Sequence, residues 1–319
     1  MSSFLTLAIV QNALELGFVY ALVALALYLS YSVLNIADLS TDGCFVLGCA
    51  VGATVALAGH PVLALFAAMG AGVVSGFVTA FLQTRLGVQS ILAGIIVNTG
   101  LYTVNIAAMG FSSNLNLFTV DTLFTRFAAL LRGTPLEGWG GLVLAAGITL
   151  LATLALRLFL GTRLGLSIRA TGDNADMVRS SSINPAFTIT VGLCISGSLT
   201  ALSGAVLAQY QKTCDVNLGT GMVTIALASL IIGETLLGWA GPRARMLAPV
   251  VGSVVYRFIM AIALRLNLPA ECLKLVSAII VAVAIAAPRL RQLAALQKRK
   301  MAVAGARRAR AAKGGDAGC

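Results

Sequence analysis

The chain is short of charge. Only 10% of its 319 residues are Asp, Glu, Lys or Arg, against roughly 25% in soluble domains, and the mean hydropathy is +0.95. A soluble globular protein is excluded; the composition is that of an all-α polytopic membrane protein. Histidine is represented once, by His60, and the six cysteines include no Cys-x-x-Cys pair, which removes a His/Cys metal centre and a disulfide framework from consideration. A Ser-His-Asp hydrolase would depend on His60, which adjoins Pro61 and has no nearby acid. The Gly-x-x-x-x-Gly-Lys-Ser/Thr loop is missing, so the chain cannot hold ATP in the P-loop manner. Acids clearly inside apolar segments are Glu15 and Glu234, too few for a proton relay. Met1 to Val10 contains no Lys or Arg, so the basic start of a cleaved signal peptide is lacking and the first span is expected to remain in the mature protein.

What charge there is lies unevenly. From Pro288 to Cys319 nine Lys and Arg face one acid, Asp316, so this tail supplies +8 of the net +11. A basic run directly after a membrane span reads as a cytoplasmic tail lying on anionic membrane lipid. It carries no aromatic side chains to stack on bases, which argues against nucleic acid.

Apolar runs of bilayer length predict about nine spans, at 11–33, 42–58, 62–84, 88–108, 139–160, 187–208, 221–238, 247–265 and 271–287. The Arg157–Arg179 loop, the Arg243/Arg245 turn and the tail all fall on one side by parity, which the positive-inside rule makes cytoplasmic. Counting back puts Arg85 inside and the N-terminus outside. Spans one to four (11–108) and six to nine (187–287) form two groups of four around a linker helix (139–160). Equivalent spans are five apart, an odd number, so the halves are expected to be inverted in the membrane. The membrane domain is thus 1–287, with a cytoplasmic loop at 161–186 and the tail at 288–319.

Polar residues inside spans are candidates for a solute pathway. Asn98 and Asn105 are seven residues apart and share a helix face; Gln11, Asn12 and Glu15 cluster at the start of the first span. Asn98, beside Gly100, marks a place where a helix can open toward a cavity. The alternative for each is a hydrogen bond that ties helices together. Arg257 falls mid-span, costly for an unpaired cation, and Glu234 in the neighbouring span is its expected partner in a structural ion pair. Lys274, near the end of the last span, can snorkel.

The densest polar island is Gly161-Thr162-Arg163-Leu164-Gly165-Leu166-Ser167-Ile168-Arg169-Ala170-Thr171-Gly172-Asp173-Asn174. Continuing through Met177-Val178-Arg179 to Ser182-Ile183-Asn184, it resembles the cytoplasmic loop of ABC-importer permeases of the branched-chain amino acid and ribose type, with its pattern T-x-x-G-x-x-x-R-A-x-G-x-N. Ser182 stands where that family has Gly, which makes the turn there less tight. Gly17–Leu25, Leu34–Ala37, Ser196–Gly204 and Leu230–Glu234 also resemble the family, so the likeness covers about residues 11–287. It implies two inverted four-helix repeats of the type II ABC importer kind, in the plasma (inner) membrane. It also implies a permease homodimer or heterodimer served by separate ABC ATPase subunits and a periplasmic or lipoprotein solute-binding protein. The chain would then be a transport subunit and not an enzyme: it would bind no cofactor itself, and ATP would sit on the partner.

On that reading Arg163, Gly165, Arg169, Gly172, Asp173, Asn174 and Arg179 couple the membrane domain to the ATPase. The glycines permit tight turns, the arginines make charge-assisted bonds to the partner, and Asp173 or Asn174 caps a short helix over Ala175–Ser180. The solute expected is an amino acid, hydrophobic or aromatic, with a sugar or nucleoside as the alternative. A secondary transporter without an ATPase suits the same topology.

Overall fold

The computed structural model describes residues 7–131, 133, 137–237 and 245–265, with scattered positions between 275 and 286. Apart from those positions, the predicted ninth span, together with Lys274 and the basic tail, lies outside the described residues. The other eight predicted spans are all helices. They are α1 (Leu7–Leu27), wound on as a π-helical turn over Tyr28–Val33, then α2 (Thr41–Leu57), α3 (Pro61–Thr84) and α4 (Ser90–Ala108). After a short strand β1 (Asn114–Asn116) and helix α5 (Leu123–Leu130) come α6 (Gly140–Leu160), α7 (Arg163–Asp173) and α8 (Ala175–Ser180). The chain continues with α9 (Pro185–Gln211), β2 (Thr213–Asp215), a 3-10 turn over Val216–Gly219, α10 (Met222–Leu237) and α11 (Ala248–Arg265). The stretch between the predicted spans 88–108 and 139–160 thus holds structure of its own, including β1, which pairs antiparallel with β2.

Helix starts follow from local chemistry. Pro61 and Pro185 sit in the first turn of α3 and α9, where a missing N–H costs nothing. Asn184 caps α9 by accepting from the Ala186 amide. Helix α2 is short: its 17 residues, about 26 Å at the usual rise, do not span a hydrocarbon core of about 30 Å alone. Helix α10 has 16 residues, but with the turn before it the run Val216–Leu237 is long and apolar enough to cross a membrane.

The core is built on α1 and α9, the two most buried spans. α9 packs tightly against α2 and α3, and α1 packs against α10 and α11. Each long helix therefore leans chiefly on members of the opposite group. Small residues make the approach close: a Cβ on Gly72 would overlap the Gly197 carbonyl, and one on Gly48 the Ala201 backbone, as small-residue packing in lipid requires. Serine and threonine hydroxyls then bond across helices. Ser196 donates to the Ala26 carbonyl (3.0 Å), Ser203 to Val19 (2.7 Å), Ser253 to Gly17 (2.8 Å) and Thr149 to Phe18 (2.8 Å). Backbone carbonyls of α1 thus anchor α9, α11 and α6.

Direction can be read from the ends. Gly172 of α7 lies against Val33, where α1 finishes, while Gly141 at the start of α6 lies against Glu15, near the start of α1. Helices α1 and α6 are therefore parallel and both finish on the α7–α8 face. Helix α9 leaves that face and finishes opposite, where Tyr210 meets Glu15. Arg85 at the end of α3 and Arg245 beyond α10 share the α7–α8 face, in agreement with the predicted sidedness.

Candidate functional site

Two places concentrate polar chemistry. The first is the α7–α8 unit. Thr162 caps α7, accepting from the Gly165 amide at 3.3 Å, and Asn174 caps α8, accepting from the amides of Asp176 and Met177, both at 3.1 Å. Of the two candidate caps, it is Asn174 that serves. Gly165 and Gly172 do not make the turns expected of them: both lie within α7, where they let the helix sit against other backbone. A Cβ on Gly165 would overlap Phe159 and Leu160, and one on Gly172 the Val33 carbonyl. With Ile168 and Thr171 they form the seated face, and Thr171 also hydrogen-bonds Thr188 of α9 at 2.8 Å.

The opposite face is open. Arg163, Arg169 and Asp173 are exposed, beside exposed Leu164, Leu166 (56%) and Met177 (68%). Arg179 reaches Asp176 at 3.9 Å, with both side chains largely in solvent, a pair worth little by itself. Ser182 adopts the left-handed conformation, φ +61°. The turn is therefore kept, and the serine bears the conformational cost that a glycine would avoid.

The second place is a cavity of about 330 Å³ where α2, α4 and the 3-10 turn before α10 meet. Asn98 and Asn105 both line it, so their shared helix face is real, although α4 runs unbroken past Asn98. Asn105 is 2% exposed and its Nδ2 donates to the Gly43 carbonyl at 3.1 Å. Asp42, on the first turn of α2, accepts from the Gly221 amide (3.1 Å) and the Val223 amide (2.8 Å) at the start of α10. One carboxylate thus joins the first turns of two short helices, at the end where a helix carries partial positive charge. Thr99, Tyr102, Asn217 and Thr220 complete the polar wall. Asp42 is not among the residues expected from the sequence; the signal that could have found it is the polar stretch Asn35–Asp42, which has a counterpart in Cys214–Gly221.

Asn12 and Glu15 belong elsewhere, at the outer ends of α1 and α9. The Tyr210 hydroxyl donates to Glu15 Oε2 at 2.7 Å and lies 3.1 Å from Asn12 Oδ1. Gln11 donates to Glu15 Oε1 at 3.1 Å. The Tyr210 bonds tie α9 to α1 and the Gln11 bond lies within α1; none of these residues lines the Asn98 cavity. The expected Glu234–Arg257 ion pair does not form. Glu234 is exposed and accepts from Ser32 Oγ at 2.9 Å. The Arg257 guanidinium lies instead over the Tyr20 ring, 3.6 Å from its centroid, a cation–π contact that offsets part of the cost of a mid-span cation, while its Nε has no hydrogen-bond partner among the described residues.

Comparison with known proteins bears on this arrangement. The family described as branched-chain amino acid transport system / permease component matches residues 9–287. The tyrosine transport system permease protein of Clostridioides difficile (strain R20291) is 34% identical over 264 residues, 82% of this chain and 85% of that protein. The ribose import permease protein of Escherichia coli (strain K12) is 28% identical over 267 residues, 81% of this chain and 78% of that protein. The fructose import permease protein of Bifidobacterium longum (strain NCC 2705) is 26% identical over 290 residues, 89% and 79% respectively. No solved structure matches the chain significantly.

Proposed function

The chain belongs to the permease family of branched-chain amino acid transport systems, an ABC-transporter permease family, and from that premise we propose that it is the membrane subunit of an ATP-driven importer. The observation that carries the proposal is the α7–α8 unit. It is seated without slack against the end of α1 through Gly172 and Val33, while its outer face offers apolar and basic side chains to a partner. A push on that face would pass directly into a core helix. ATPase subunits docked there, carrying the ATP, would move α1 and with it the packed groups, alternating access to the pathway. Each long core helix leaning on the opposite group supports the inverted two-half plan.

The pathway runs through the Asp42–Asn98–Asn105 cavity. Thr99 and Tyr102 extend its polar wall onto an exposed face of α4. Such a face suits an aqueous route or a second permease subunit better than lipid. The solute is an amino acid, hydrophobic or aromatic, delivered by a separate solute-binding protein at the plasma membrane; the tyrosine permease relative supports this reading. A sugar is the second reading, since relatives named for ribose and fructose are also similar. The chain is multi-pass, with α7–α8, Arg85 and the basic tail placed in the cytoplasm.

The test is Arg169→Glu in cells carrying the chain with its ATPase and binding protein. ATP-dependent uptake is expected to fall to background while the permease still reaches the membrane in normal amount. Undiminished uptake would overturn the coupling assignment.

A further inference from the structure

The cavity between α2, α4 and the 3-10 turn before α10 holds one carboxylate, Asp42, among uncharged polar side chains. The Asn105 side chain is 2% exposed, and its orientation is fixed because the Gly43 carbonyl can only accept, so Nδ2 must face it. Oδ1 is then the atom left over, and it has no hydrogen-bond partner among the described residues. A buried, unanswered amide oxygen is costly to leave unpaired, a cost that a ligand donor can recover. Asn98 Oδ1 is held in the same space: a Cβ on Gly43 would come within 2.7 Å of it. Both Asp42 oxygens already take one backbone N–H each, and a carboxylate oxygen keeps a further lone pair. The Thr99 hydroxyl donates to Ile95 at 2.9 Å, so toward the cavity it too can only accept. Among the described residues no Lys or Arg lines the space.

We infer that this cavity is a site for the protonated amine of the solute, with the Asp42 carboxylate as counter-charge and the Asn105 and Asn98 amide oxygens as acceptors. An ammonium is all donor and no acceptor, and it suits a pocket that presents a carboxylate and, among the described residues, no Lys or Arg. The inference rests on the cavity being part of the solute pathway and specifies what the pathway recognises. A neutral polyol would satisfy the acceptors but would leave the carboxylate without a counter-charge. Asp42 is thereby given two roles, joining α10 to α2 through its amide bonds and presenting negative charge to the cavity.

The experiment is ligand-observed NMR on the whole permease in lipid nanodiscs, with four probes: L-tyrosine, tyramine, 3-(4-hydroxyphenyl)propionate and D-ribose. The two amines are expected to bind. The propionate, which keeps the ring and the acid but lacks the amine, should bind at least about tenfold more weakly, the scale of one lost charge-assisted hydrogen bond. Asn105→Leu should weaken both amines to a similar degree. Asp42→Asn should do so too, and because it keeps one accepting oxygen but turns an NH2 toward the other backbone amide, it should also lower the melting temperature. Equal binding of tyrosine and the propionate, or D-ribose bound while the amines are not, would overturn amine recognition yet leave the pathway standing, provided Asn105→Leu weakens whichever probe binds. If no probe responds to Asn105→Leu, the pathway reading falls as well.

Discussion

Arg257 lays its guanidinium over the face of Tyr20, and Tyr20 in turn stacks on Phe45 at 6.3 Å with the rings 13° apart. A mid-span cation is thus held by an aromatic pair from the first group of helices. Tyr20→Phe keeps the ring and should be nearly neutral. Tyr20→Leu should cost about 2 kcal/mol, the scale of a desolvated cation–π contact, read as a lowered melting temperature in detergent. Glu234→Gln, which keeps an acceptor for Ser32, should leave that temperature within a degree or two. A larger loss for Glu234→Gln than for Tyr20→Leu would restore the ion pair.

Gly172 should tolerate no side chain. In Gly172→Ala the methyl meets the Val33 carbonyl, and backbone cannot withdraw as a flexible side chain can. The variant is expected to lose ATP-driven uptake by at least about tenfold, because α7 no longer seats on the end of α1. Gly161→Ala has its nearest neighbour at 3.3 Å and should keep most activity. Transport assays on matched membrane amounts decide between them.

Ser182 can be improved. Its positive φ costs a non-glycine residue about 1–2 kcal/mol, part of which glycine returns as extra freedom in the unfolded chain. Ser182→Gly should therefore stabilise the α8–α9 junction by about 0.5–1 kcal/mol, visible as slower hydrogen exchange at Ile183. Ser182→Val should destabilise it.

Tyr210 supports a carboxylate that is 7% exposed. Tyr210→Phe keeps the ring's edge contact with Phe124 (5.3 Å) but removes the donor to Glu15. About 1–3 kcal/mol of stability should be lost, and Glu15→Gln in the same background should recover part of it. Thermal denaturation of the two variants checks this.

What could be read from the chain was what repeats locally. Apolar runs located eight of the described helices, seven-residue spacing put Asn98 and Asn105 on one face, and a polar turn foretold the Asn174 cap. The failures share a cause. Gly172 meets Val33, Asp42 meets Val223 and Arg257 meets Tyr20 across 139, 181 and 237 residues of chain, and periodicity carries no information over such distances. Charge alone favoured Glu234 for Arg257, yet an aromatic face meets the same electrostatic need and a hydroxyl serves the acid. Glycine in a polar loop suggested a turn; only the packed backbone beyond it reveals a helix pressed too close for a methyl.

The exchange of partners between the two groups of helices has a consequence for how the protein is made. Helix α1 leaves the ribosome first, but its neighbours α10 and α11 end only at Leu237 and Arg265. Until then Gly17 lacks Val254, and the ring of Tyr20 waits uncovered in the bilayer for Arg257. A chain interrupted after α6 would present these unfilled surfaces to lipid and to quality-control proteases. Completion of synthesis, not insertion of any single span, is the event that closes the molecule.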